Sequence, residues 1–325
     1  MYIVTGGAGF IGSAMVWALN NRNIQDIIVV DELGEQSKWH NLSNLHIQNV
    51  IHPDEAHDWT WKNKHILKGI IHMGACSTTT EEDADFLMKN NVHVSMDYFE
   101  LCTTMRIPFI YASSAATYGA IEEGFSDIHS RIPSLRPINK YGFSKHLFDK
   151  WALNQTCQPP TWAGLKFFNV YGPNEYHKGS QASVALHAYP QVTEKGQVNL
   201  FKSYRPEYEH GDQQRDFVYI KDVIKVIEHF LFNTDSSHNG IYNVGTGEPR
   251  SFKDLIEACF AALNLESKIN FIEMPEALKN QYQYYTKADL TKLREIGGYK
   301  EKFTSLEEGV RDYYTNYLAP GNKHL

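Results

Sequence analysis

Short apolar runs alternate with longer amphipathic stretches through the first half of the chain. The runs at 2–5, 26–31, 69–73, 108–113 and 163–169 read as buried strands, because each is brief and nearly continuous in Ile, Val, Phe and Ala. The stretches 10–22, 81–105 and 139–153 read as the helices between them. Strands alternating with helices demand crossover connections, and hence a parallel sheet covered on both faces. Residues 78–83, TTTEED, have the capping and acidic residues of a helix start. Residues 36–66, rich in Asn, His and Trp, show no clean period. Beyond Gly172-Pro173 the rhythm weakens, a polar stretch covers 203–214, and 240–245 returns as one more strand. The pattern predicts an α/β fold with a larger unit over 1–170, rejoined by about 215–246. A smaller mixed α/β unit is built from 171–214 and 247–325. Residues 319–325 are expected to fray.

Composition narrows the class. Of 325 residues, 42% are apolar and 21% charged, which excludes a disordered chain. The net charge of −7 argues against nucleic acid as a partner, since that requires a basic face. No apolar run approaches the roughly 20 residues that span a bilayer, so no membrane partner is expected. The apolar N-terminus has no preceding positive charge and is broken by Gly6, Gly7, Gly9 and Gly12, unlike a signal segment. The four cysteines, Cys76, Cys102, Cys157 and Cys259, form no C-x-x-C pair. They fit free thiols in a reducing compartment, and a cytoplasmic protein is expected. The 15 histidines show no metal-binding spacing, and no metal is expected.

Gly6-Gly7-Ala8-Gly9-Phe10-Ile11-Gly12 follows the first strand and opens the first helix. Glycines there let backbone approach a pyrophosphate, and the helix N-terminus turns its free N–H groups toward the anion. Asp31 closes the second strand about 20 residues further on, where a ribose-binding acid belongs. Together these predict a Rossmann-type doubly wound sheet holding a dinucleotide. Asp31 and Glu32 favour a free 2′-hydroxyl and so NAD, whereas Lys38 is a cation able to meet the 2′-phosphate of NADP.

Tyr141-Gly-Phe-Ser-Lys145 places a phenol and an ammonium on one helix face. The ammonium is expected to hold the cofactor ribose and to lower the phenol pKa, so that phenolate acts as base. The spacing alone arises about once by chance in such a chain, so its weight comes from its place after the fourth assigned strand. That strand ends in Ser113-Ser114, and Ser114 there can hydrogen-bond a reacting oxygen beside Tyr141.

With Asn169-Val-Tyr-Gly-Pro173 and Arg215-Asp-Phe-Val-Tyr219, these motifs resemble the extended short-chain dehydrogenase/reductase family over nearly the whole chain. The resemblance implies a nicotinamide cofactor acting on a nucleotide sugar gripped by the second domain. Ala115 and Ala116 stand where the dehydratases of that family carry an Asp-Glu pair, which disfavours water loss. The segment Asn174-Glu-Tyr-His-Lys178-Gly-Ser180-Gln-Ala-Ser183 is similar to the substrate-side motif of its ADP-heptose epimerases. So are Gly74–Thr78, Ser113–Gly119 and the Tyr282–Leu290 segment. The resemblance implies inversion at C6 of ADP-heptose in lipopolysaccharide precursor synthesis, with NADP and a homo-oligomer, a pentamer.

Residue by residue, it implies Tyr141 and Lys178 as the two proton-transfer groups, with Lys145 and Ser114 beside them. Gly6, Gly9, Phe10, Ile11, Gly12, Asp31, Glu32 and Lys38 would bind the adenosine and phosphate end of the cofactor. Ala75, Cys76 and Ser77 would follow its pyrophosphate and ribose, with Asn90 nearby, and Val170 would also bind the cofactor. Asn169, Ser180, His187, Phe201, Arg215 and Tyr282 would contact the nucleotide sugar, with Arg215 bidentate on its diphosphate. The departures are Glu32 in place of Asn, Gln181 in place of Met, and a longer 203–214 stretch. Two alternatives stay open: another nucleotide-sugar epimerase, such as one acting on UDP-galactose, and a noncatalytic dinucleotide-sensing protein.

Overall fold

The computed structural model describes residues 1–35, 37–121, 124–233, 235–279 and 282–325. Seven strands form one parallel sheet: β1 (Tyr2–Thr5), β2 (Ile27–Val30), β3 (Asn49–Ile51), β4 (Gly69–His72), β5 (Phe109–Ser114), β6 (Trp162–Phe167) and β7 (Gly240–Val244). Their order is β7-β6-β5-β4-β1-β2-β3. The chain winds outward from β1 to β3, then crosses back to β4 and winds the other way. That reversal opens a crevice at the carboxyl ends of β1 and β4, the place where such sheets bind ligands.

Consecutive strand residues enter opposite layers, as the period of two requires. Val4, Val29, Ile71 and Ile110 join a core with helices α1 (Phe10–Asn21) and, later in the chain, Ile220–Phe232. Ile3, Ile28, Ile70 and Phe109 join the opposite core. There they meet α2 (Val94–Met105) and α3 (Lys140–Leu153). Beyond β6 the described residues make three small strand pairs. Phe217–Tyr219 runs parallel to Asn169–Tyr171, Arg250–Ser251 antiparallel to Gln214–Arg215, and Ile269–Ile272 parallel to Val198–Phe201. Among the described residues no helix is long and apolar enough to cross a membrane.

The structure departs from expectation in three places. Residues 81–105 are not one α-helix. Asp83 caps Ala84–Leu87, a π-helical turn follows over Met88–His93, and α2 begins at Val94. The unpatterned 36–66 segment holds a 3₁₀ turn (Ser37–Leu42), the short edge strand β3 and a helix, Pro53–Lys62. The end of the chain does not fray. Leu325 is buried and its N–H meets Asn174 Oδ1 at 2.9 Å. His324 Nδ1 lies 2.7 Å from Asn41 Oδ1, and the Tyr176 hydroxyl donates to the Lys323 carbonyl.

Candidate active site

The crevice begins at the glycine loop. Gly6 has φ +61°, and a Cβ there would lie 2.7 Å from Gly74 Cα across the crossover. A Cβ on Gly12 would run into the Gly6 carbonyl oxygen. Gly9 caps α1 without a side chain, and the first turn has no acid. The N–H groups at that end therefore stay open to an anion. Asp31, at the end of β2, accepts from the Ala8 N–H (2.8 Å) through one oxygen and pairs with Lys38 Nζ (2.7 Å) through the other. Open donors, absent side chains and a carboxylate beside a lysine fit the pyrophosphate and adenosine ribose of a dinucleotide. Glu32 next to them is exposed. Phe10 and Ile11 begin α1 at the loop.

Ser114, Tyr141 and Lys145 meet where β5 ends. Asn139 caps α3 through its side chain, which accepts from the Gly142 N–H (2.7 Å) and sets the first turn under the strand. Burial pushes the Tyr141 phenol above its usual value, and the hydrogen bond from Ser114 acts the other way. Lys145 donates to the Ala112 carbonyl of β5 at 2.9 Å. The group offsetting the burial of Tyr141 is thus Ser114 rather than the expected Lys145, whose ammonium is turned to the strand. Burial brings Lys145 down to about 8, against the upward pull of Asp149 and then Cys76. Cys76 lies in electrostatic range of both Tyr141 and Lys145, and Ala75 is half-buried beside it while Ser77 is exposed.

A buried polar chain holds this loop. The Gly74 N–H donates to Thr5 Oγ1 (3.0 Å), which lies 2.7 Å from His72 Nδ1. His72 Nε2 lies 2.9 Å from Ser95 Oγ, and Ser95 donates to the Asn91 carbonyl. Because Ser95 spends its proton on Asn91, Nε2 carries the ring proton and Nδ1 accepts. Burial, aided by the Lys145 charge, pushes His72 down to about 3, so the ring is neutral. Asn91 then brackets Cys76: its oxygen accepts from the Cys76 N–H (2.8 Å), and its amide donates to the Cys76 carbonyl and Ser144. Asn90, the residue expected near the cofactor, turns its amide to the Phe86 carbonyl within its own helix. The π turn rotates Asn91 inward, a register that sequence periodicity does not reveal.

Lys178 reaches the glycine loop from the other side. It sits in the 3₁₀ turn Tyr176–Gln181, with its ammonium 5.3 Å from the centroid of the Phe10 ring. Burial lowers its pKa, and the Glu175 carboxylate opposes that. Glu175 is wholly enclosed and closes the loop like a clasp. It accepts from the Gly172 N–H (3.1 Å), the Ser183 N–H (2.6 Å) and Ser183 Oγ (2.7 Å). Asn174, at φ +78°, donates to Ser13 Oγ and accepts through its carbonyl from Asn41, binding the loop to α1.

Arg215 marks a third cluster. Its guanidinium donates to the Gln214 and Gln283 carbonyls and lies over the Tyr282 and Phe252 rings at 5.4 and 5.5 Å. Burial lowers its pKa, and among the described residues it has no carboxylate in ion-pair distance. A buried cation without a counter-ion suits an anionic ligand. Next to it Asp216 fixes two loops by accepting from Thr246 N–H and Oγ1, Gly247 N–H and Ala288 N–H. Asn169 is exposed and Val170 half-buried in the strand paired to Phe217–Tyr219. Phe201 is half-buried, while Ser180 and His187 are exposed.

This geometry agrees with what the chain resembles. Residues 2–245 match the NAD dependent epimerase/dehydratase family. The chain belongs to that family. Relatives of the epimerase/dehydratase family match it end to end. An ADP-L-glycero-D-manno-heptose-6-epimerase of Fusobacterium nucleatum is 50% identical over 100% of both chains, and one of Nitratidesulfovibrio vulgaris is 48% identical over 100% of both. The crystal structure of the Helicobacter pylori ADP-L-glycero-D-manno-heptose-6-epimerase superposes with a TM-score of 0.80 at 27% identity. The match covers 97% of this chain and 95% of that one. The UDP-glucose 4-epimerase of Thermotoga maritima, 22% identical over 97% and 98% of the two chains, shares the fold at a TM-score of 0.76.

Proposed function

We propose that the protein inverts C6 of the heptose in ADP-D-glycero-D-manno-heptose, giving the L-glycero form, with NADP as cofactor. The full-length relatives that carry this name support the substrate. One structural observation carries the chemistry: a second amine, the half-buried Lys178, stands clasped at the glycine loop in addition to Ser114, Tyr141 and the buried Lys145. Inversion through a C6 ketone needs proton transfer at the C6 oxygen in two configurations, and one fixed base serves only one of them.

When bound, the dinucleotide supplies a hydride acceptor and donor. The Gly6–Gly12 loop would hold its pyrophosphate, with Phe10, Ile11, Asp31, Glu32 and Lys38 at its adenosine end. Ala75, Cys76, Ser77, Asn90 and Val170 would flank the remainder, and Lys145 Nζ would hold the second ribose. Lys38 beside Asp31 supports NADP, because a 2′-phosphate can take over the ammonium that Asp31 now holds. Tyr141 Oη, as phenolate, takes the proton of the C6 hydroxyl, and Ser114 Oγ moves its one hydrogen bond from Tyr141 to the C6 oxygen. Lys178 Nζ delivers a proton to that oxygen in the opposite configuration, and the proton left on Tyr141 returns to Lys178 through solvent between turnovers. Its lowered pKa makes the proton easier to give up. Arg215 would bind the diphosphate, with Asn169, Ser180, His187, Phe201 and Tyr282 around the nucleotide sugar. In this reading 1–170 and 215–246 form the dinucleotide unit, and 171–214 and 247–325 grip the sugar. A cytoplasmic homo-oligomer, a pentamer, completes it.

The test presents ADP-D-glycero-D-manno-heptose and UDP-galactose side by side to the purified protein. Conversion of the heptose alone is expected, and turnover of the galactose alone overturns the assignment. Native mass spectrometry reads the copurified dinucleotide, expected to be NADP, and the subunit count.

A further inference from the structure

Beneath Ser114, Tyr141 and Lys145 lies a buried ion pair that the reaction above leaves unused. Asp149 and Lys166 are both fully enclosed, with their charged atoms 2.5 Å apart. Asp149 Oδ1 accepts from the Tyr111 hydroxyl (2.9 Å), and Oδ2 accepts from Ser113 Oγ (2.8 Å) and from Lys166. Lys166 also donates to Thr117 Oγ1 at 2.7 Å. Tyr141, Lys145 and Asp149 stand four residues apart on successive turns of α3, so they share one face. That face grips β5 at Tyr111 and Ser113, immediately before Ser114. Stability does not explain such a pair, because a well-packed apolar substitute is often as stable or more so.

We propose that Asp149 is a positioning residue for the reaction. Its carboxylate, immobilised by Lys166, Tyr111 and Ser113, is the fixed counter-charge that keeps Lys145 an ammonium. The same contacts lock α3 to the end of β5, so that Tyr141 and Ser114 stay aligned. Among the described residues, Tyr141 and Asp149 lie one turn to either side of Lys145 on its own helix, His72 and Cys76 come from β4 and the loop after it, and Lys166 of β6 stands against Asp149. His72 is neutral, and Asp149 is the larger of the two influences that oppose the burial of Lys145. The Asp149 charge also reaches His146 on α3, and His129 and Lys292 near β7.

This inference rests on the reading that Lys145 serves the cofactor, and its test is independent of turnover. The ¹³Cε resonance of Lys145, in lysine-labelled protein and identified by its loss in Lys145→Met, is titrated against pH. In Asp149→Asn the midpoint is expected to fall by about one pH unit or more. In Lys166→Met, which frees Asp149 from its competing cation, it is expected to rise. Asp149→Glu restores it toward the wild-type value. A merely structural pair shifts stability in these variants and leaves the midpoint alone. An unmoved midpoint in either folded variant overturns the proposal, so one that fails to fold leaves the other to decide. The alkaline limb of kcat should move with the midpoint. A wild-type protein that epimerises no nucleotide sugar refutes the functional reading, while the midpoints still decide the role of Asp149.

Discussion

Replacing Glu175 with glutamine takes one charge from the clasp of the Lys178 loop with little change in volume. Three donors converge on the carboxylate: the Gly172 N–H, the Ser183 N–H and Ser183 Oγ. An amide offers one acceptor oxygen and an NH₂ group, so one of these donors is left facing another donor. A hydrogen bond to a charged group contributes about 1.5–3 kcal/mol, and stranding a buried donor costs about 1–3 kcal/mol. Relief acts in the other direction, because burial already pushes the Glu175 pKa up and a neutral amide is easier to enclose. The balance is a loss of about 2 kcal/mol, read from urea unfolding of the dinucleotide-loaded protein. The larger effect is on rate. A loop released at both ends lets the Lys178 ammonium drift, and a misplacement of about 1 Å costs on the order of 100-fold. We expect kcat for heptose epimerisation to fall about 10- to 100-fold, with dinucleotide affinity unchanged. Wild-type kcat in Glu175→Gln, alongside the loss of stability, would refute the idea that the clasp sets the position of Lys178.

Ser114→Ala removes the hydrogen bond that offsets the burial of Tyr141, so kcat should drop about 10²–10³-fold and its pH profile shift upward, with dinucleotide binding unaffected. Arg215→Met should raise the KM for the nucleotide sugar about tenfold or more and change kcat less, measured by steady-state kinetics. His72 has a folded pKa of about 3, below its ordinary 6.5, so it stays neutral in the fold while the unfolded chain protonates. Its contribution is therefore intact above pH 6.5 and is lost at about 1.4 kcal/mol per pH unit as pH falls from there toward 3. Stability curves of wild type and His72→Asn should converge at that slope, and parallel curves would contradict it.

The elements legible in the chain were those with a local cause. Continuous apolar runs located β1, β2, β4, β5, β6 and β7 to within a few residues. The glycine loop located the crevice because a close backbone approach leaves few residue choices. Tyr141 and Lys145 were visible because one helical turn separates them. What escaped depends on contacts between distant segments. Asn91 faces Cys76 through a π turn, and Asp149 meets Lys166 from another element. Glu175 reaches Ser183 across a loop, and Leu325 docks on Asn174 from the far end of the chain. The helix Pro53–Lys62 did leave a signal, with Pro53 in its first turn followed by Asp54 and Glu55. It was hidden by the short β3 and by histidine and tryptophan on its exposed side.

The most direct test of the two-base account follows ADP-D-glycero-D-manno-heptose by proton NMR in wild type, Tyr141→Phe and Lys178→Met. The account predicts conversion to the L-glycero form by the wild type with no net change in bound dinucleotide redox state. It also predicts a loss of about 10²–10⁴-fold in each variant. Full activity in both variants would contradict it.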